Sequence, residues 1–359
     1  MCGSLYNILV KNLSKSFEII KTVKGDENII HKIQKLFLGT SFSGYKRRIY
    51  KVNVLKNISF EVENQEFFGV LGPNGSGKTT LLSILGTLYP PDEGDIKIFD
   101  MDYYKHRGEI RKYIIPIFSW LQLHEATGSI SVTGRQALER LLIYHDIEPS
   151  TVLSEINELS EMLDIRDRLD DWIMRLSDGM KMKIYILASM IIMNNYDQFL
   201  LLCDEPFIYL DVATISLFKS FILKEIGSKR FSVVISSNIP SQVEMFCNKV
   251  IILYNGAIIY YGTMKALKSL YSKNVVKLKM KGKYPSFIHK IDDIEILSLN
   301  NKGNNIYDIK LLTSSADDII PELIDKVYAH GNKILKFSVE NPTIDEVVLQ
   351  ILKKMSEVE

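Results

Sequence analysis

Little in this chain of 359 residues points away from an ordinary reduced, water-exposed protein. Cysteine is scarce: Cys2, Cys203 and Cys247 lie far apart and form no CxxC pair. That excludes an obvious disulfide framework and suits reduced thiols in a cytosolic protein. Charge of one sign is lacking too, with 44 Lys+Arg against 43 Asp+Glu, so nothing global favours nucleic acid or an anionic membrane surface. No apolar run approaches the roughly 18 residues that a membrane-spanning helix needs. The opening Met-Cys-Gly-Ser-Leu-Tyr-Asn has neither the charged nor the apolar region of a signal peptide, and the chain is expected to be soluble by itself. What is abundant is core-forming material: 46% hydrophobic residues over a length sufficient for two domains.

One stretch carries most of the chemistry. Gly72-Pro73-Asn74-Gly75-Ser76-Gly77-Lys78-Thr79-Thr80 follows the apolar run Phe67–Leu71 and leads into Leu81, Leu82, Leu85 and Leu88 at helical spacing. Strand, glycine-rich loop and helix in that order make a P-loop. Glycines let the backbone curl so that successive N–H groups face a phosphate chain, and the helix begins with its positive end towards the same charge. Lys78 is expected on the β- and γ-phosphates and Thr79 on Mg²⁺. The alternative, a glycine turn that merely ends a strand, does not explain the whole nine-residue pattern. The chain is therefore expected to bind a nucleoside triphosphate.

In chain order, a first strand is expected over Ile8–Leu13, ending at Lys15-Ser-Phe17. Residues 21–50 then interrupt. Ile29, Ile30, Ile33, Leu36 and Phe37 share a helical face, and Lys46-Arg47-Arg48 follows a glycine-flanked break. Such a helix packs on its own sheet beside a solvated basic turn, or rests on lipid headgroups or a membrane partner; the first is preferred. Alternation over Val52–Val62 predicts a second strand, and Ile96–Phe99 a short one. From about 119 to 193 the pattern is helical: one apolar face is Val152, Ile156, Leu159 and Leu163, another Met180, Ile184, Leu187, Ala188 and Ile191. Phe199–Cys203 is a buried strand running into Asp204-Glu205-Pro206, followed by a helix from Asp211 to Ile226, a strand over Ser232–Ile235, and strands near 250–254 and 257–261. Strands alternating with crossover helices predict an α/β fold around a mostly parallel sheet, with a helical subdomain inserted. Beyond Ser272 the order strand, strand, strand, helix, strand, helix over about 85 residues suits a small α+β ferredoxin-like module.

These motifs together resemble those of ABC transporter ATP-binding subunits, over residues 5–270. Gly72–Thr80 matches Walker A, and Leu200–Asp204 with Glu205 matches Walker B and its following glutamate. Leu176-Ser177-Asp178-Gly179-Met180 stands at the LSGGQ signature and Tyr209-Leu210-Asp211 at the D-loop. The insertion at 21–50 and the C-terminal module, closing on Pro342-Thr-Ile-Asp-Glu-Val347, look more like exporter ATPases with separate membrane subunits. The resemblance implies a P-loop NTPase domain over 1–273 and an accessory domain over 274–359. It implies ATP and Mg²⁺, cytoplasmic placement on the inner face of the cell membrane, polytopic permease partners and a second ATP-binding subunit. Asp204 would bind Mg²⁺ and Glu205 would orient or deprotonate the attacking water. Ser177 and Gly179 would meet the γ-phosphate of ATP held by the other subunit. Phe17 matches the adenine-stacking position, with Tyr50 as runner-up, and either residue could equally belong to the core.

Four positions depart from the family pattern, one of them Met180 at the signature's glutamine place, a tolerated variation in the exporter subgroup. Its Q-loop glutamine appears as Trp120, with Gln122 able to serve as the metal-linked residue only if the loop shifts by two. Its histidine after the strand at 232–235 is Asn238, a donor that can never be cationic. Its third signature glycine is Asp178, whose charge opposes the approach of phosphates. The expectation is a subunit that binds ATP well and hydrolyses it slowly. Two competitors are a non-hydrolysing ATP-binding regulatory subunit of a heterodimeric transporter and a soluble ABC-type ATPase outside transport.

Overall fold

The first two strands are long and pair with each other along their whole length. In the computed structural model, which describes residues 5–24, 45–118, 132–224, 229–270 and 274–358, β1 (Tyr6–Lys24) and β2 (Tyr45–Glu63) run antiparallel from Tyr6 opposite Glu63 to Lys24 opposite Tyr45. The interruption expected from residue 21 therefore begins later and ends earlier. Ile19 faces Tyr50 and Ile20 faces Ile49, all four exposed, so the arm is held by pairing rather than by burial. A reading keyed to buried alternation stops too soon there. The helix expected over residues 29–37 lies outside the described residues.

β1 also pairs with β4 (Glu93–Ile98), which pairs with β5 (Met101–Asp102), giving an antiparallel sheet ordered β2-β1-β4-β5. The chain between them supplies β3 (Glu66–Leu71), buried at all six residues, and α1 (Lys78–Leu85). After α2 (Arg107–Lys112) and β6 (Ile114–Phe118) come three longer helices, α3 (Gly134–Tyr144), α4 (Leu153–Met162) and α5 (Asp178–Asn195). Thr133 and Gln136 form a capping box on α3, which fixes where that helix starts. α5 differs from the expected one-faced helix. Every residue from Ile184 to Met193 is buried, so it runs through the middle of its region.

β7 (Gln198–Asp204), α6 (Val212–Lys224), β8 (Arg230–Ser237), α7 (Pro240–Phe246), β9 (Lys249–Tyr254) and β10 (Ala257–Thr263) complete this part. The second sheet is ordered β10-β9-β3-β8-β7-β6, and its pairs from β9 to β6 are parallel. Parallel strands need cover on both faces, which is why β3 and β7 read as unbroken apolar runs. All of this is the mixed α/β arrangement of a P-loop ABC ATPase.

The chain divides into two compact units, one of Met1–Asn238 with Lys249–Tyr261, the other of Ile239–Asn248 with Gly262–Glu359. The second holds α8 (Met264–Ser269), β11 (Asn274–Lys281), β12 (Glu295–Asn301), β13 (Ile306–Thr313), α9 (Ala316–Ala329), β14 (Lys333–Glu340) and α10 (Ile344–Val358). Its four strands are antiparallel in the order β12-β13-β11-β14, the ferredoxin-like order, with a single 3-10 turn over Ser286–Lys290 where the first helix of that fold would stand. Val276, Leu278 and Met280 bury against Ile319, Leu323 and Val327 of α9. α10 packs on α7, and the Ser241 amide donates to Asp345 at 3.1 Å. Among the described residues no helix is long and apolar enough to cross a membrane.

Candidate functional site

The loop between β3 and α1 can be built only from glycine at two of its positions. A Cβ on Gly72 would sit 2.4 Å from the Leu253 carbonyl oxygen. Gly77 takes φ of 107° as the N-cap of α1, and a Cβ there would meet Leu55 at 2.7 Å. The Ser76 amide donates to the Pro73 carbonyl at 3.2 Å and closes the turn, while the buried Ser76 hydroxyl finds no partner. Lys78, only 6% exposed, curls back over the loop and donates to the carbonyls of Gly72 (2.9 Å) and Pro73 (3.2 Å). Asn74, Gly75 and Thr79 are exposed, Pro73 and Thr80 half-buried, so the loop has an open side.

Opposite the loop stand the ends of two neighbouring strands. Register puts Asp204 beside Ser236. The buried Asp204 carboxylate accepts from the Thr79 hydroxyl at 2.7 Å through one oxygen and from the Ser236 hydroxyl through the other. Glu205 has φ of 49°, a left-handed conformation unfavourable by about 1 kcal/mol or more for a residue with a side chain. Its amide, which lies 3.2 Å from both the carbonyl and the hydroxyl oxygen of Ser236, holds it there. The bent backbone brings one carboxylate oxygen to 3.5 Å from the Lys78 ammonium, and the other accepts from the Asn238 amide at 3.3 Å. The Asn238 side chain in turn donates to Asn74 at 3.4 Å. Lys78, Thr79, Asp204, Glu205 and Asn238 are thus brought together on one side of the loop.

Ser236 is the member that the motifs do not announce. A serine ending a buried strand next to a strand that ends in aspartate was the available signal, since parallel neighbours of equal reach present their last residues side by side. The donor set, a hydroxyl and a carboxylate, suits Mg²⁺, which keeps waters and shares substrate phosphates rather than needing a full protein cage. The orphaned Ser76 hydroxyl and the open side of the loop suit a polyanion as well.

The remaining expected residues are more dispersed. Phe17 is half-buried, with Tyr89 edge-on at 6.0 Å and the Lys15 ammonium 5.4 Å over its ring. Asp92 anchors that corner, accepting from Lys15 at 2.7 Å and from the amide and hydroxyl of Ser16. Those hydrogen bonds hold its carboxyl down at about 2. The Phe17 partner Val52 lies two residues from Val54, whose carbonyl borders Gly77, whereas Tyr50 is further out along the arm. Ser177 caps α5, its hydroxyl accepting from the Met180 amide at 3.2 Å. A Cβ on Gly179 would meet the Tyr209 carbonyl at 2.7 Å, so the start of α5 packs against the backbone at Tyr209. Asp178 pairs with Lys181 at 3.0 Å, and this neighbouring cation offsets the repulsion expected from its charge. Trp120 and Gln122 lie outside the described residues. Cys203 and Cys247 are buried and form no disulfide, and burial beside Asp204 pushes the Cys203 thiol far up.

Comparison with known proteins agrees with this geometry. Residues 55–208 match the family model described as ABC transporter. The ABC transporter ATP-binding protein NatA of Bacillus subtilis is 29% identical over 61% of this chain and 85% of its own length. The linearmycin resistance ATP-binding protein LnrL of the same organism is 25% identical over 85% of this chain and 96% of its own. The methionine import ATP-binding protein MetN 1 of Staphylococcus epidermidis is 26% identical over 85% and 87%. Among solved structures, the dimeric post-hydrolysis state of the ATP-binding cassette MJ0796 bound to ADP and Pi superposes with a TM-score of 0.52. It is 21% identical and covers 72% of this chain and 98% of that one, a likeness of fold. Motifs, strand order and relatives converge on an ABC transporter ATP-binding domain within this chain, whose relatives are named ABC transporter ATP-binding proteins.

Proposed function

We propose that this chain drives export through separate polytopic membrane subunits, pairs with a second cassette, and hydrolyses ATP slowly. The observation that carries the reading is the Glu205 carboxylate, set between the Lys78 ammonium and the Asn238 amide at the mouth of the glycine loop. When ATP enters, Lys78 exchanges its loop carbonyls and Glu205 for phosphate oxygens, and the loop amides take the rest of the chain. Thr79 and Asp204 would hold Mg²⁺, which neutralises charge on the phosphates. Glu205, freed from Lys78, orients a water whose oxygen attacks the γ-phosphorus while the bond to the bridging oxygen breaks, giving ADP and phosphate.

Asn238 supports the slow step. A lost donor at a developing charge typically costs about 10²–10³ in rate, and asparagine keeps the donor while lacking the positive charge of an imidazolium. Phe17 offers its ring to adenine. Ser177 and Gly179 at the start of α5 would close over the γ-phosphate on a second cassette. ATP would thereby favour a closed pair that reopens after hydrolysis, and the membrane subunits would follow that cycle. Such coupling places the protein at the inner face of the membrane, held there by its partners.

Export is supported by LnrL, a resistance protein that aligns with 85% of this chain. MetN 1 aligns as far, which favours import as the second reading, and transport by inverted vesicles of the co-expressed membrane subunits separates the two. Phosphate release by the purified chain tests the chemistry. Glu205→Gln is expected to abolish it, and Asn238→His to raise it about tenfold. Release at the same rate in all three proteins would make the chain an ATP-binding regulatory subunit instead.

A further inference from the structure

Where β7 and β8 end side by side, one hydroxyl is used in both directions. Ser236 is fully buried, and register places it beside Asp204. Its hydroxyl donates to one oxygen of the Asp204 carboxylate, while Thr79 donates to the other at 2.7 Å. A carboxylate gripped at both oxygens is not free to turn. The same Ser236 oxygen lies 3.2 Å from the Glu205 amide, which it shares as an acceptor with the Ser236 carbonyl. One oxygen atom therefore joins the residue that would hold the metal to the next residue in the chain, whose carboxylate would direct the water. Such a tie is needed at this point. Glu205 stands at φ of 49°, against the preference of a residue with a side chain. Its carboxylate contacts are long, 3.5 Å to the Lys78 ammonium and 3.3 Å to the Asn238 amide, so the backbone sets its direction. An apolar side chain at position 236, like those of Val233 to Ile235 before it, would leave a buried Asp204 oxygen without a donor.

We propose that Ser236 is a positioning residue for ATP hydrolysis. By donating to Asp204 and accepting from the Glu205 amide, it fixes the metal-holding and the water-directing carboxylates in one arrangement. This role rests on those given above to Thr79, Asp204 and Glu205, and it makes the two carboxylates interdependent: whatever loosens one loosens the other. Hydrogen-bond partners that stand behind a metal-holding group typically govern metal affinity or activity by about 10–100-fold. Ser236 works through both carboxylates, so its loss is felt in the metal's contribution to nucleotide binding as well as in turnover.

Two measurements on the full chain test this: phosphate release, and titration with ATP in the presence and absence of Mg²⁺. The titrations carry Glu205→Gln, so that ATP is not consumed. Ser236→Ala is expected to lower kcat about 10–100-fold. It is also expected to cut the gain in ATP affinity that Mg²⁺ brings by about tenfold. Affinity without Mg²⁺ should stay the same, because Lys78 and the loop amides are untouched. Ser236→Thr keeps the hydroxyl and should restore both quantities. Ser236→Cys keeps the volume but offers only a weak donor, so it should behave as alanine does and carries the test if the alanine variant does not fold. Wild-type values in the alanine or cysteine variant, an equal loss in Ser236→Thr, or weaker ATP binding without Mg²⁺ would overturn the proposal. A wild-type chain that releases no phosphate refutes the hydrolytic reading instead, and the Mg²⁺ titrations still decide the role of Ser236.

Discussion

His145 illustrates how much a single buried side chain contributes and on what condition. Its imidazole is held neutral down to about 4 by burial, against about 6.5 for the same group in an unfolded chain. Between those values the unfolded state takes up a proton that the folded state refuses, so stability falls as pH drops. The contribution is complete above the unfolded value and is diminished by about 2 kcal/mol at pH 5. Urea unfolding at pH 7.5 and pH 5 checks this: wild type should lose that amount and His145→Gln should lose less, whereas parallel curves would contradict it. At this scale the shape of the glycine loop is legible in the sequence, because Gly72 and Gly77 are demanded by close contact and by a left-handed φ that no other residue fits easily. Ser236 is not, since its importance comes from a neighbour 32 positions away in the chain.

The elements show the same contrast for different reasons. β3, β7, β11 and β13 are legible close to their observed bounds, as burial on one or both faces writes itself into their composition. The arm of β1 and β2 is legible only in part because its outer residues pair in the open, where alternation carries no mark of a core. α5 is plain as a helix but not as a surrounded one, since its own residues cannot say that neighbours cover every side. Its N-cap gives a prediction: Ser177→Ala removes the acceptor for the Met180 amide and should lower stability by about 1 kcal/mol. Thermal denaturation of the apo protein should register that as a small downward shift. An unchanged midpoint would mean that the cap bond is not holding the helix end.

For the whole molecule, the central expectation is that nucleotide joins two chains. Glu205→Gln with ATP and Mg²⁺ should double the 41.2 kDa mass in light scattering, because the closed pair forms and is not hydrolysed apart. Adding Lys78→Ala to that variant should return it to a single chain. A pair that forms equally without nucleotide, or none at all, would refute the shared-site reading. The fold of this molecule is legible as a class, down to the ferredoxin-like strand order. Its division into units is not, since the chain enters the second unit at α7 before the first is complete.

That interleaving limits how the protein can be shortened. α7 begins two residues after Asn238, buries Val243 and Phe246, and leans on α10 with its Ser241 amide held by Asp345. A chain ending at residue 273 would leave that helix without its support and its amide without an acceptor. The tail is a splint for α7, and evolution could discard it only by redesigning the helix that leaves the end of β8.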